Sequence, residues 1–155
     1  MFCQVNLWFC VHSLSDRDVC LNLVRPDQLS PYGFAAYSGE ALVALYKHKV
    51  LLPHTAPWGQ LWESYQAHDL DSLLETSDSL TEFPFVVEAV QAHIERFPQK
   101  EQWGRPEKTL FEIIGLLETK AFGPVFREFT RREAIYGFGD LQVKRLFDKV
   151  VEGEV

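Results

Sequence analysis

The chain has 155 residues, a formal net charge of −7, 46% apolar and 14% aromatic residues. That length suits one domain, or one domain with a small appended module, and the apolar share fills a real core, which excludes an intrinsically disordered chain. The negative charge argues against general affinity for nucleic acid or anionic membrane, since both are themselves negative.

The charge is uneven. Residues 1–104 hold 6 Lys/Arg against 13 Asp/Glu, residues 105–150 hold 9 against 7, and the last five residues add two acids. Only the C-terminal third offers a polyanion a place to dock. Cys3, Cys10 and Cys20 all fall in the first twenty residues. An odd count without CxxC spacing makes neither a disulfide framework nor a zinc knuckle, and buried thiols in a reducing compartment are the commoner outcome. No basic n-region precedes an apolar run, because Asp16, Arg17 and Asp18 interrupt it, and no window reaches the roughly 18 apolar residues of a membrane span. A soluble, cytoplasmic protein is expected.

In chain order, Met1 to His12 alternates and then turns continuously apolar from Leu7 to Val11, as a buried strand does. A lone strand needs a partner, and Val50-Leu51-Leu52 is the best internal one. Ser15 as N-cap with Asp18 at N3 predicts a helix through Val24, ended by Arg25-Pro26. Residues 25–38 read as a loop with a tight turn at Pro31-Tyr32-Gly33. Ser38 caps a helix with Leu42, Leu45 and Tyr46 on one face and Lys47, His48 and Lys49 at its negative end. Thr55-Ala56-Pro57 starts another, with Trp58, Leu61, Trp62 and Tyr65 at helical spacing. A short helix at about Asp71 to Thr76 follows, and Ser77-Asp78-Ser79 leads into the next and central helix.

The clearest element runs from Glu82 to Pro98. Phe83, Val86, Val87, Val90, Ile94 and Phe97 draw one apolar stripe, Pro84 fits the first turn, and Pro98 halts the helix. A polar link, Gln99 to Gly104, is the expected boundary. Three helices then follow: Pro106–Leu117, about Gly123–Ala134, and Asp140–Val150, the last with Asp140 as its N-cap.

Leu7-Trp8-Phe9, Trp58…Trp62…Tyr65, Leu80-Thr81-Glu82-Phe83-Pro84-Phe85, Ala92-His93-Ile94-Glu95-Arg96-Phe97-Pro98 and Gly137-Phe138-Gly139-Asp140 occur in an order that resembles the C-terminal part of domain-of-unknown-function family 1835. The resemblance spans nearly all of residues 5–150. Members usually begin with an additional α/β segment carrying Gly-Asp-Ser, absent ahead of Met1, so a ligand site there is not expected. They tend to follow Leu-Trp-Phe with Glu-His-Asp, where this chain has Cys10-Val11-His12-Ser13. The resemblance therefore implies a fold neighbourhood and transfers no functional residue.

Among chemical candidates, His12, His48, His54, His68 and His93 include no HxxxH or HxH pair, so no metal is expected. His12, at the end of the strand beside Cys10 and Asp16, is the best single base. Cys10 and His12 are i, i+2 and share a strand face, although a buried thiol accounts for Cys10 as well. Trp58 and Trp62 suit a core better than a base- or sugar-stacking platform, and Glu63 and Asp69 do not form a glycosidase pair. There is no GxSxG, P-loop or GxGxxG, and Gly137-Phe138-Gly139 is a turn rather than a phosphate cradle.

The C-terminal helices place Lys144, Arg145 and Lys149 on a polar side, opposite Val143, Leu146, Phe147 and Val150, as in a helix-turn-helix core. Arg127, Arg131 and Arg132 add charge. Glu128 and Glu133 dilute it, and Asp148 is spaced to pair with Lys144.

The expected fold is mainly α: a compact helical domain with a short N-terminal β element and a three-helix, helix-turn-helix-like C-terminal module, divided as 1–104 and 105–155 and packed as one unit. The leading function is a non-enzymatic intracellular protein-interaction or regulatory module. Its partner is another protein or a second copy, such as a homodimer, with no cofactor, no nucleic acid and no membrane. The alternatives are a DNA-binding regulator using Arg131, Arg132, Lys144, Arg145 and Lys149, and a small hydrolase or transferase centred on His12 with Cys10 or Asp16.

Overall fold

The structure, a computed structural model, describes residues 21–26, 33–52, 56–98 and 102–153. These are mainly helical: seven α-helices and one two-stranded sheet, with short 3-10 turns at Gly33–Ala36 and Ala134–Tyr136. No helix among the described residues is long and apolar enough to cross a membrane. Contacts divide the chain into two compact units, one ending at Gln91 and the other made of Gly33 and the residues from Ala92 on. That divide falls inside a helix, whereas the polar link at 99–104 marks a different cut through the chain.

In the first unit, β1 (Leu21–Leu23) pairs antiparallel with β2 (Val50–Leu52), Leu21 opposite Leu52 and Leu23 opposite Val50. The sequence predicts helix through Val24, so residues 21–23 are a correction. Three residues carry no period that separates strand from helix, and the opposing ladder satisfies their backbone groups. Val50–Leu52 is a strand as expected, but its partner among the described residues is Leu21–Leu23 rather than the Met1–His12 segment for which the sequence makes it the candidate. The strand expected at Met1–His12, the cap at Ser15 and the residues Pro31 and Tyr32 of the expected turn lie outside the described residues.

Helix α1 (Gly39–Lys47) opens with the Ala41 amide donating to Ser38 Oγ at 3.3 Å. Its end is held by His48, whose amide donates to the Ala44 carbonyl while Nδ1 lies 2.8 Å from the same oxygen. Helices α2 (Ala56–Ala67) and α3 (Leu70–Ser79) form a hairpin. His68 turns the corner at φ +55°, and Asp69 caps α3 by accepting from the Ser72 amide and hydroxyl at 3.0 and 2.7 Å. The chain keeps Ser77–Ser79 inside α3, where the sequence predicts a lead into the central helix. The Ser77 and Ser79 hydroxyls donate back to the Leu74 and Thr76 carbonyls, which lets polar residues stay helical.

Helix α4 (Pro84–Glu95) is the bracketed helix of the sequence. Phe83, Val86 and Val90 are buried, while Val87 and Ile94 are half-buried, and Ala92 belongs to the buried set although it is not part of the stripe. Trp58 meets Phe83 edge to face, with centroids 5.2 Å apart.

In the second unit, α5 (Arg105–Leu117), α6 (Phe122–Arg132) and α7 (Asp140–Glu152) pack on one another. Leu110, Ile113, Val125, Phe129, Val143, Phe147 and Val150 form their shared core. Two boundaries differ from the expectation. Helix α6 stops at Arg132, and a 3-10 turn carries the chain to Gly137 at φ +57°. Gly139, not Asp140, is the N-cap of α7: its amide donates to Gln142 Oε1 at 3.0 Å, and Asp140 becomes the first helical residue, where a carboxylate suits the positive helix end. Residues 133–139 thus make a longer link than the three or four residues that join a helix-turn-helix pair.

Candidate functional site

The site is set by the start of α5 and the end of α4. Pro106 sits in the first turn of α5, where no amide partner is needed, and leaves Arg105 as the first helical residue. Gly104, the N-cap, brings that turn against the end of α4. A Cβ at Gly104 would lie 2.3 Å from the Arg96 carbonyl oxygen, so only glycine permits this approach.

Held there, Arg105 reaches two carboxylates. Its Nε donates to Glu133 Oε1 at 3.1 Å and its Nη1 to Glu95 Oε2 at 2.8 Å. Nη2 lies 2.9 Å from Glu133 Oε2, off the line of a hydrogen bond, so that contact is an ion pair only. Glu133 is 6% exposed and accepts a further bond, 2.8 Å, from the Thr109 hydroxyl. Hydrogen bonding to Glu133 holds the Arg105 pKa above the usual guanidinium range. A charge so well matched to fixed carboxylates is a positioned ion, not a proton donor.

Beneath it, the Tyr136 hydroxyl donates to the Ala92 carbonyl at 2.8 Å, and burial pushes its pKa up to about 12. The Arg105 guanidinium lies 5.8 Å from the Tyr136 ring centroid. Arg105, Glu95, Glu133 and Thr109 line an open cleft of about 420 Å³ together with Phe97, Trp103, Lys108 and Glu112. Lys108 Nζ approaches Gln102 Oε1 at 3.5 Å, and Trp103 packs at 5.4 Å from the Phe111 ring.

No family model, characterised protein or solved structure matches the chain. The site is therefore read from its own chemistry.

The basic residues singled out in the sequence do not gather at the cleft. Arg131 and Arg132 both donate to Glu128, at 2.7–2.9 Å, and these bonds bring the Glu128 pKa down to about 2. Lys144 pairs with Asp148, as its spacing predicts, and stands within 6 Å of the Phe122 and Phe147 ring centres. Arg145 and Lys149 are exposed and make no ion pair among the described residues. His12, Cys10 and Asp16 lie outside the described residues. No group of three or more His, Cys, Asp or Glu arranged to hold a metal occurs among those described.

The Arg105–Glu133–Glu95 cluster is invisible to spacing rules, because its members are 28 and 10 residues apart. One signal existed. Glu133 follows two arginines at the end of a helix, where a carboxylate is unfavourable unless another cation receives it.

Proposed function

We propose that the chain is a non-enzymatic intracellular interaction module, and that its C-terminal unit presents the docking surface to another protein or to a second copy. The observation that carries this reading is the cleft. Two aromatic side chains line it with charged groups tied to one another by ion pairs and hydrogen bonds, which makes a recognition surface with fixed polar anchors. A general acid or base needs a group poised to give or take a proton near neutral pH, and the shifted groups here, Arg105 and Tyr136, are both moved away from it.

The resemblance to domain-of-unknown-function family 1835 assigns no activity, and the proposal does not rest on it. DNA binding is disfavoured by the pairing of Arg131, Arg132 and Lys144 with acids, which leaves Arg145 and Lys149 of the five basic residues singled out.

The test is capture on the immobilised full chain from its native cell, followed by reconstitution with the purified co-purifying protein. A stoichiometric complex, or a concentration-dependent dimer in sedimentation, is the expected result. Recovery of nucleic acid alone, or turnover of a small substrate by the purified chain, overturns it.

A further inference from the structure

The cleft has a sign as well as a shape. Its rim and floor hold three carboxylates, Glu95, Glu112 and Glu133, against two cations, Arg105 and Lys108. Arg105 is committed in charge: its Nε and Nη1 donate to Glu133 and Glu95, and its Nη2 is ion-paired with Glu133. An anionic ligand would therefore meet carboxylates and a guanidinium already engaged. Glu112 is different. It is exposed on the rim and makes no ion pair among the described residues. Glu95 is half exposed, its side chain at 52%, so it retains acceptor capacity toward the opening. Phe97 and Trp103 supply aromatic rings beside these acids. The unit already sets cations over aromatic rings, with Arg96 5.4 Å from the Phe97 centroid and Arg105 over Tyr136.

Resting on the docking reading above, we propose that this cleft receives a Lys or Arg side chain from a basic segment of the partner, its charged head between Glu112 and Glu95 and its stem along Trp103. A volume of about 420 Å³ accommodates one such side chain with part of its backbone. Lys108 works against the incoming charge and restrains affinity. The complementarity is local to the cleft, where three carboxylates outnumber two cations, because residues 105–150 as a whole hold more Lys/Arg than Asp/Glu.

The probe is a fluorescein-labelled peptide of alternating Arg and Gly, with a Glu-for-Arg counterpart, titrated with the full chain at two salt concentrations and read by anisotropy. The Arg peptide is expected to bind and the Glu peptide not to. Glu112→Gln and Trp103→Ala should each weaken binding about tenfold with helicity unchanged, Trp103→Phe should retain most of it, and Lys108→Gln should tighten it. Glu88→Gln, on exposed α4 surface, removes the same charge elsewhere and should change little. An equal effect of Glu88→Gln and Glu112→Gln reduces the binding to diffuse attraction and overturns the proposal. So does preference for the Glu peptide, or no binding of either. None of these outcomes touches the capture experiment, where a complex insensitive to Glu112→Gln and Trp103→Ala upholds an interaction module and refutes this cleft as its seat.

Discussion

Glu128 receives two guanidinium groups on the surface of α6, and the consequence is a carboxyl that stays ionised in acid. Its pKa falls from an ordinary 4.5 to about 2, first through the Arg131 bond and then through that of Arg132. The folded pKa is depressed, so the pair's contribution is complete above about pH 4.5 and is lost as the pH falls through about 2. A carboxyl-detected NMR titration should find Glu128 still charged at pH 3, and Arg131→Gln should move its midpoint upward. Gly104 makes a harder demand. The Arg96 carbonyl it would strike is backbone and cannot rotate away, so Gly104→Ala should cost about 1–3 kcal/mol, read as a lowered denaturation midpoint with an unchanged slope.

Among elements, legibility follows how local the cause is. Helix α4 was written in its own residues, by Pro84, Pro98 and an apolar stripe, and Ser38 announced α1 because its side chain caps within its own turn. The Lys144–Asp148 pair was readable for the same reason, since four residues on a helix are neighbours. Strand β1 was not, because Leu21–Leu23 is a strand only in the presence of Val50–Leu52. The cap of α7 was misplaced by one residue, since the acceptor at Gln142 lies inside the helix and serves the amide of Gly139. The cleft was hidden most deeply: Arg105, Glu95 and Glu133 share no spacing, and only the fold brings them together. Where three helices meet, Ile113 is fully buried among Leu110, Val125, Phe129 and Val143. Ile113→Ala should therefore cost about 2–5 kcal/mol in chemical denaturation, the lost transfer of its side chain compounded by a cavity.

For the whole molecule, charge decides which partners are admitted. At −7 the chain repels a polyanion, and three of the five basic residues singled out on its C-terminal helices are already matched by Glu128 and Asp148. A duplex-DNA titration at low salt should show no sub-micromolar association. Any residual binding through Arg145 and Lys149 should have a log–log salt slope no steeper than about −2, since each neutralised phosphate contributes about −0.9. One tie in the fold acts on the clock of the molecule rather than on its partners. The carbonyl of Ala92 lies in the last turn of α4, and it accepts a bond from the hydroxyl of Tyr136, 44 residues away. That bond adds a long-range restraint to the last turn, so its opening is slowed by the 3-10 turn at Ala134–Tyr136 as well as by its own backbone bonds. Deuterium uptake at the amides of Glu95 to Phe97 should accelerate in Tyr136→Phe, while the amides of α7 keep their wild-type pace, and uptake unchanged at both places would show that the helix end keeps its own time.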